Sequence, residues 1–431
     1  MSSPKKTIVT PLIKKFGLDQ DTFSNYRPVS NLSFISKLIE KLVSIQLIAH
    51  LVANNLYESF QSAYRSPHST ETALLRVLND LLMCVDTHGA AMLILLDLSA
   101  AFDTIDHNVL LHALESQCGI TGTALEWFRS YLVDRVQAIK VNWCLSSFLN
   151  LLYGVPQGSV LGPILFTIYT SPLGTIIRRH GLHVHFYADD SQLYIAFKPK
   201  DLMSRDAAIT KIEACAQDIR AWMSNNFLKL NESKTEFIII TSKRTSIDAF
   251  SIHIGDNVIN PTADDADPPR NLGVNFDSKL SFEFHVKKVT QSINGQLFKI
   301  GKIRKYVDQD TCATLINGLA ISRMDYCNSV LYGLPDNLLN KLQLQQNRAA
   351  RILTFTPKFS HISHVLHGLH WLPVKFRIMY KILLFAFKSQ HGLAPKYLCD
   401  LIRPYVPPRS LRSQNLHLLD QPKSRLKTDS W

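Results

Sequence analysis

Apolar positions follow two periods along the chain. Ala90–Leu96 is an unbroken apolar run that stops at Asp97, which predicts a buried central strand presenting a carboxylate at its C-terminal end. His183–Tyr187 and Gln192–Phe197 read as two short strands joined at Ala188-Asp189-Asp190-Ser191, a hairpin with two acids at its tip. Val136–Val141 and Phe148–Tyr153 suggest a strand pair leading into Gly154-Val-Pro-Gln-Gly-Ser159 and then the apolar helix Val160–Tyr169. Phe237–Thr241 and Leu272–Phe276 are further strands, with a polar, strand-poor span between them that includes the loop Asp264-Asp-Ala-Asp-Pro-Pro269. Helical spacing marks Ser36–Val52 (Leu38, Ile39, Leu42, Ile45, Leu47), Thr70–Val85, Ala124–Tyr131 and Ile209–Met223, and Asp106 is placed to cap a helix. Ile8–Lys15 is apolar and basic, and Ser24-Asn-Tyr-Arg-Pro28 is turn-like. After Leu280 the pattern is almost wholly helical, over Phe284–Ile303, Asp310–Leu319, Leu338–Ile352 and Lys375–Gln390, with no internal repeat.

Charge sharpens this division. The 431 residues carry 47 basic and 35 acidic side chains, but residues 1–285 sum to −3 (25 − 28) and residues 286–431 to +15 (22 − 7). The excess of the C-terminal third suits either a polyanionic partner or a soluble basic face. Seven scattered cysteines form no close pair, which argues against a disulfide framework or a zinc knuckle and for reduced thiols. Neither a signal peptide nor a membrane span is implied, so the expected location is nuclear or cytoplasmic. His361, His364, His367 and His370 recur every third residue, but no Cys or carboxylate lies beside them in the sequence. Ordinary histidines at a loop–helix junction are expected there, with a zinc site the lesser alternative.

The main chemical signal is a carboxylate at each of two strand ends, Asp97 and Asp189-Asp190. If the strands are neighbours the acids converge, and oxygen-only ligands of this kind suit magnesium. Alone, Asp-Asp is more often a solvated turn. Here, however, Val184-His-Phe-Tyr-Ala-Asp-Asp190 and Leu93-Ile-Leu-Leu-Asp97-Leu-Ser-Ala-Ala-Phe102-Asp103 both place acids after apolar strands, with Pro156-Gln-Gly-Ser-Val-Leu-Gly-Pro163 between them. This ordered set resembles a reverse transcriptase. With Tyr26-Arg-Pro-Val-Ser30, Gln61-Ser-Ala-Tyr-Arg65, Leu228-Lys-Leu-Asn-Glu-Ser-Lys234-Thr-Glu236 and Leu272-Gly-Val274, it resembles the non-LTR, long-interspersed-element type. His370-Trp-Leu-Pro-Val374 and His391-Gly-Leu-Ala-Pro395 are similar to the jockey-like branch.

The resemblance implies an α+β right-hand polymerase: fingers over residues 1–90, a palm with an antiparallel sheet over 91–280, and a basic helical thumb and C-terminal region over 281–431. It implies RNA-directed DNA synthesis with an RNA template, a DNA primer, deoxynucleoside triphosphates and two Mg²⁺ ions, Mn²⁺ substituting. Asp97 and Asp189 match the principal metal ligands and Asp190 the adjoining acid. Phe102 matches the aromatic that excludes a 2′-hydroxyl, and otherwise reads as an ordinary core Phe. Gln157 and Gly158 match the loop against the nucleotide and template, Arg65 and then Arg27 the contacts to triphosphate, and Lys234 the lysine that protonates pyrophosphate. Leu272, Gly273 and Val274 match the primer grip. Asp103 and Asp106 are expected to be structural, and Lys287, Lys288, Lys302, Arg304, Lys305, Arg348, Arg351, Arg409 and Arg412 are candidate contacts to the duplex. Only some 25 residues precede Tyr26, so the endonuclease that many such elements carry is expected to be absent and the chain to be part of a longer frame. The contrasting reading is a catalytically silent retroelement remnant that at most binds nucleic acid.

Overall fold

The computed structural model describes residues 5–99, 102–242, 245, 247–248, 250–263, 267–405 and 418–420. Residues 264–266, Arg409 and Arg412 lie outside them. The Ala90–Leu96 run forms the expected strand within a four-stranded sheet, flanked by Glu236–Thr241 on one side and Asp190–Phe197 on the other, with His183–Tyr187 outermost. Every pairing in this sheet is antiparallel. Alternation along the central strand divides the core in two. Met92, Ile94 and Leu96 face one cluster, with the helices Gly162–Tyr169 and Leu202–Asn225, while Ala91 and Leu93 face the other, with the helix Thr70–His88.

That second core does not stop at the sheet. Val286, Ile293, Leu297 and Ile300 of Glu283–Ile303, Leu342, Ala349 and Leu353 of Asp336–Thr354, and Ile378 of Val374–Gln390 belong to the same cluster as Leu74, Leu81 and Tyr194. The helical C-terminal part is therefore packed on the four-stranded sheet through a continuous apolar core. An ion pair and hydrogen bonds join the two parts as well: Lys381 pairs with Glu71 at 2.9 Å, and the Tyr397 hydroxyl is hydrogen-bonded to the hydroxyls of Ser62 and Thr72, each at 2.9 Å.

Local signals explain most element ends. Ser69 and Thr72 form a reciprocal capping box at the start of Thr70–His88, which closes at left-handed Gly89. Asp106 caps His107–Ser116 by accepting from the Asn108 and Val109 amides, as expected for a structural acid. All seven cysteines are unpaired, and among the described residues no helix is long and apolar enough to cross a membrane.

Five expectations are corrected. Tyr26-Arg-Pro28 is not a turn: Tyr26–Asn31 is a strand paired with Lys6–Ile13, where Pro28 faces Pro11 at a position needing no amide donor. The span after Thr241 contains the hairpin Ile252–Ile254 with Asn257–Ile259, whose Ile252 and Ile254 are buried. Of Phe148–Tyr153 only Leu149–Asn150 pairs with Val136–Val141. Leu272–Phe276 is not one strand but a tight hairpin, Arg270–Asn271 against Val274–Asn275. The helix Phe34–Ala53 forms, yet Leu38, Leu42 and Ile45 are exposed while Ser36, Glu40, Ser44, Leu47 and Leu51 are buried. The Glu40 carboxylate accepts from the Val160 and Leu161 amides at 2.6 and 3.3 Å. Satisfying those orphan donors at the entry to Gly162–Tyr169 turns the polar stripe inward.

Candidate active site

Register brings the acids together. Leu96 pairs with Ser191 and Tyr187 with Asp190, so Asp97, one step beyond Leu96, lies beside the Ala188-Asp189 turn. Their charges are felt mutually. Lost hydration and then the charges of Asp189 and Asp97 push the Asp190 carboxyl up to about 6. Asp189 is also raised, chiefly by burial and further by Asp97, against the opposing pull of Arg27 and Lys234. Tyr64 feels the same field: burial and then the Asp189 charge raise its phenol.

A second element completes the arrangement. Leu98–Ser99 pairs with Lys229–Leu230, which places the following turn against Asp97. The Asn231 amide donates to Asp97 O at 2.9 Å, and Lys234 Nζ donates to Asp97 Oδ2 at 3.0 Å. Lys234 is 65% exposed and Asp97 27%, so the lysine sits at the mouth of the site rather than in the interior. Asn231 Nδ2 approaches the same carboxylate oxygen at 3.4 Å.

The loop Gly154–Ser159 is stitched to both sides of the cleft. Val155 N donates to Phe102 O at 2.9 Å and Ser30 N to Gln157 O at 2.8 Å, so the loop bridges the segment after Asp97 and the strand carrying Arg27. Gly158 has φ +111°, and a Cβ there would stand 3.1 Å from Ser30 O, a close approach that only glycine allows without strain. The buried Gln157 Oε1 has no hydrogen-bond partner. Phe102 packs on Phe166 with ring centroids 4.9 Å apart, so the ring is both a core contact and a wall beside this loop.

Leu272 and Gly273 occupy the hairpin turn at φ +43° and +91°. Tyr326 hydroxyl donates to Leu272 O at 2.7 Å, and Asn271 Nδ2 donates to Gln192 Oε1 at 3.1 Å. Because Gln192 lies on the strand that begins at Asp190, the hairpin with Val274 is tied directly to the acidic strand.

Other sequence candidates are not gathered here. The Arg65 guanidinium donates to the carbonyls of Glu58 and Gln61 at 3.1 and 3.4 Å and lies 4.6 Å over the Tyr57 ring. It braces its own loop. Arg304 is buried, donating to the carbonyls of Ile352, Leu353 and Val307, so it caps the end of Asp336–Thr354 and cannot serve a duplex. Arg351 likewise donates to Ser360 O at 3.1 Å. Asn231, Tyr64 and Gln61 were not singled out by sequence as site residues, although all three stand inside the quoted blocks.

The donor set suits a divalent cation. It consists of carboxylate oxygens that repel one another and are relieved by a backbone hydrogen bond to Asp189 and by the charges of Arg27 and Lys234. Among the described residues no three His, Cys, Asp or Glu side chains are drawn to ligand spacing.

An antiparallel four-stranded sheet with helices packed on both of its faces is the architecture of the right-hand polymerase fold. The sequence profile described as "Reverse transcriptase (RNA-dependent DNA polymerase)" matches residues 13–276, and the chain belongs to that family. It is similar to the probable RNA-directed DNA polymerase from transposon X-element of Drosophila melanogaster, 26% identical over 80% of this chain and 37% of that protein. The RNA-directed DNA polymerase from mobile element jockey of the same species is 24% identical over the same shares. The chain thus spans a little over a third of the length of these non-LTR retrotransposon relatives. Among solved structures, telomerase from Candida albicans in complex with a fragment of telomeric RNA aligns at TM-score 0.44 and 14% identity, over 85% of this chain and 64% of that one. Divalent metals serve the reverse transcriptase family generally.

Proposed function

We propose that the chain is the polymerase core of a jockey-like retrotransposon, an RNA-directed DNA polymerase that extends a DNA primer on an RNA template. The observation that carries this reading is the Leu96–Ser191 register, which sets Asp97 beside Asp189 and Asp190. These three carboxylates would hold two Mg²⁺ ions, or Mn²⁺ in their place. The ions, when bound, supply charge neutralisation at the attacking 3′-hydroxyl and the leaving pyrophosphate.

Everything else falls to the chain. Lys234, exposed and already beside Asp97, donates a proton to the departing pyrophosphate. Phe102, fixed against Phe166, leaves no room for a 2′-hydroxyl. Gln157 and Gly158 line the nucleotide and template side, Arg27 faces the triphosphate, and the Leu272-Gly273-Val274 hairpin steadies the primer end. Arg65 acts there only by shaping the Tyr57–Arg65 loop. The exposed lysines Lys287, Lys302 and Lys305 contribute phosphate contacts to the duplex. Residues 1–90, 91–280 and 281–431 correspond to fingers, palm and thumb with its C-terminal extension. The test is primer extension by the purified chain on an RNA template with Mg²⁺ and deoxynucleotides. Extension that Asp97→Asn and Asp189→Asn abolish is expected; a folded chain inactive with either metal would mark it as a silent remnant.

A further inference from the structure

Gln61, only 3% exposed, reaches the acidic hairpin from the fingers. Its segment runs parallel to the outermost palm strand: Phe186 N donates to Phe60 O and Ser62 N to Phe186 O, both at 2.9 Å. From that edge the side chain brackets one residue. Gln61 Oε1 accepts from Ala188 N and Ala63 N, each at 3.0 Å, and Nε2 donates to Ala188 O at 3.3 Å. The amide orientation follows from these partners, because turning it over would set its NH₂ against two N–H groups.

The bracketed residue is the one the turn cannot hold by itself. Tyr187 and Asp190 close a two-residue turn of Ala188 and Asp189, in which Ala188 takes φ +59°. Glycine normally fills such a place, since a Cβ disfavours the left-handed region. An alanine there is kept in position by outside partners, and the next residue is Asp189. Both backbone polar groups of Ala188, the residue before Asp189, are thus bound by a single amide.

We propose that Gln61 is a positioning residue for the acidic hairpin, clamping Ala188 so that Asp189 and Asp190 face Asp97 before any cation arrives. The proposal rests on the metal-site reading given above. Groups that orient ligands from behind are worth about 10-fold or more in metal affinity, so Gln61→Met, which keeps length and loses the amide, should raise the Mn²⁺ concentration for half-saturation about 10-fold.

The experiment follows Mn²⁺ binding by water-proton relaxation and backbone protection by hydrogen exchange, with primer–template affinity measured alongside. In Gln61→Met the peptide containing the Ala188 amide should exchange faster, extension should recover at saturating Mn²⁺, and primer–template affinity should not move. Half-saturation within twofold of the parent overturns the role of Gln61. Should the variant fail to fold, the parent decides: an Ala188 amide that exchanges like an open loop, rather than like the adjoining strands, overturns the clamp. Parent Mn²⁺ binding unaffected by Asp189→Asn overturns the metal-site reading, and this proposal with it. Binding that Asp189→Asn abolishes but Gln61→Met leaves alone overturns only the clamp.

Discussion

Asp190→Asn should stabilise the protein in the absence of a metal ion. In the folded chain lost hydration and then the neighbouring charges of Asp189 and Asp97 push this carboxyl from 3.8 up to about 6. An acid raised by folding costs nothing below its unfolded value. Stability is lost as pH rises through the folded value, and the whole penalty is present above it. The displacement corresponds to about 3 kcal/mol without screening. Asp190 is partly desolvated by its neighbours yet keeps an exposed face, and screening through that face reduces the expected penalty to about 1 kcal/mol. With an unfolding entropy of about 2.1 cal/mol/K per residue, a chain of 431 residues shifts its midpoint by about 1 °C for that energy. Thermal denaturation in EDTA should therefore find Asp190→Asn the more stable form above about pH 6 and the two forms equal near pH 4. Added Mg²⁺ reverses the order, since a ligand at a hundredfold excess over its Kd stabilises by about 2.7 kcal/mol and the variant binds it less well. A variant less stable than the parent above that pH in EDTA would refute the combined burial and repulsion that raise this carboxyl.

Lys234→Ala should lower kcat by about 10²-fold or more, as loss of a general acid does, while stability moves by less than about 1 kcal/mol because the pair is exposed; an unchanged kcat removes the lysine from the reaction. Gly273→Ala places a Cβ 2.9 Å from the Tyr326 ring at φ +91° and should cost about 1–3 kcal/mol, read as weaker extension from a primer terminus; full activity would detach the hairpin from the primer. Phe102→Val should admit ribonucleotides that the parent rejects, and equal discrimination in single-nucleotide incorporation would leave Phe102 as a core contact of Phe166 alone. Arg304→Met strands the carbonyls of Ile352, Leu353 and Val307 and should destabilise by about 3 kcal/mol or more, measured by urea denaturation; a smaller loss would mean that water replaces the guanidinium.

Much of the site was legible in the chain because its parts are local. An unbroken apolar run must be buried on both faces, so Ala90–Leu96 could only be a central strand and Asp97 could only stand at its end. Capping chemistry likewise assigned Asp106, whose side chain can satisfy only the amides just after it. The Lys234 partnership was legible as a family block, but its contact with Asp97 needed the pairing of Leu98–Ser99 with Lys229–Leu230.

What the linear pattern did not carry depends on partners remote in sequence. The apolar face of Phe34–Ala53 would be expected to turn inward by periodicity alone; the unpaired amides of Val160 and Leu161 draw Glu40 inward instead, since an orphan donor in the interior costs more than an exposed leucine. Arg304 and Lys305 are neighbours of equal formal charge, yet the carbonyls ending Asp336–Thr354 bury the first and leave the second at the surface. Gln61 is a polar residue in a loop block until the sheet edge brings Ala188 within reach of its amide. Sequence by itself determined the central strand that ends at Asp97 and the helix that starts at the Asp106 cap, because those are decided by side chains a few positions apart. Tertiary structure alone decided which carboxylates share a field and which cations meet them, because electrostatic coupling depends on distances that only the packed sheet sets.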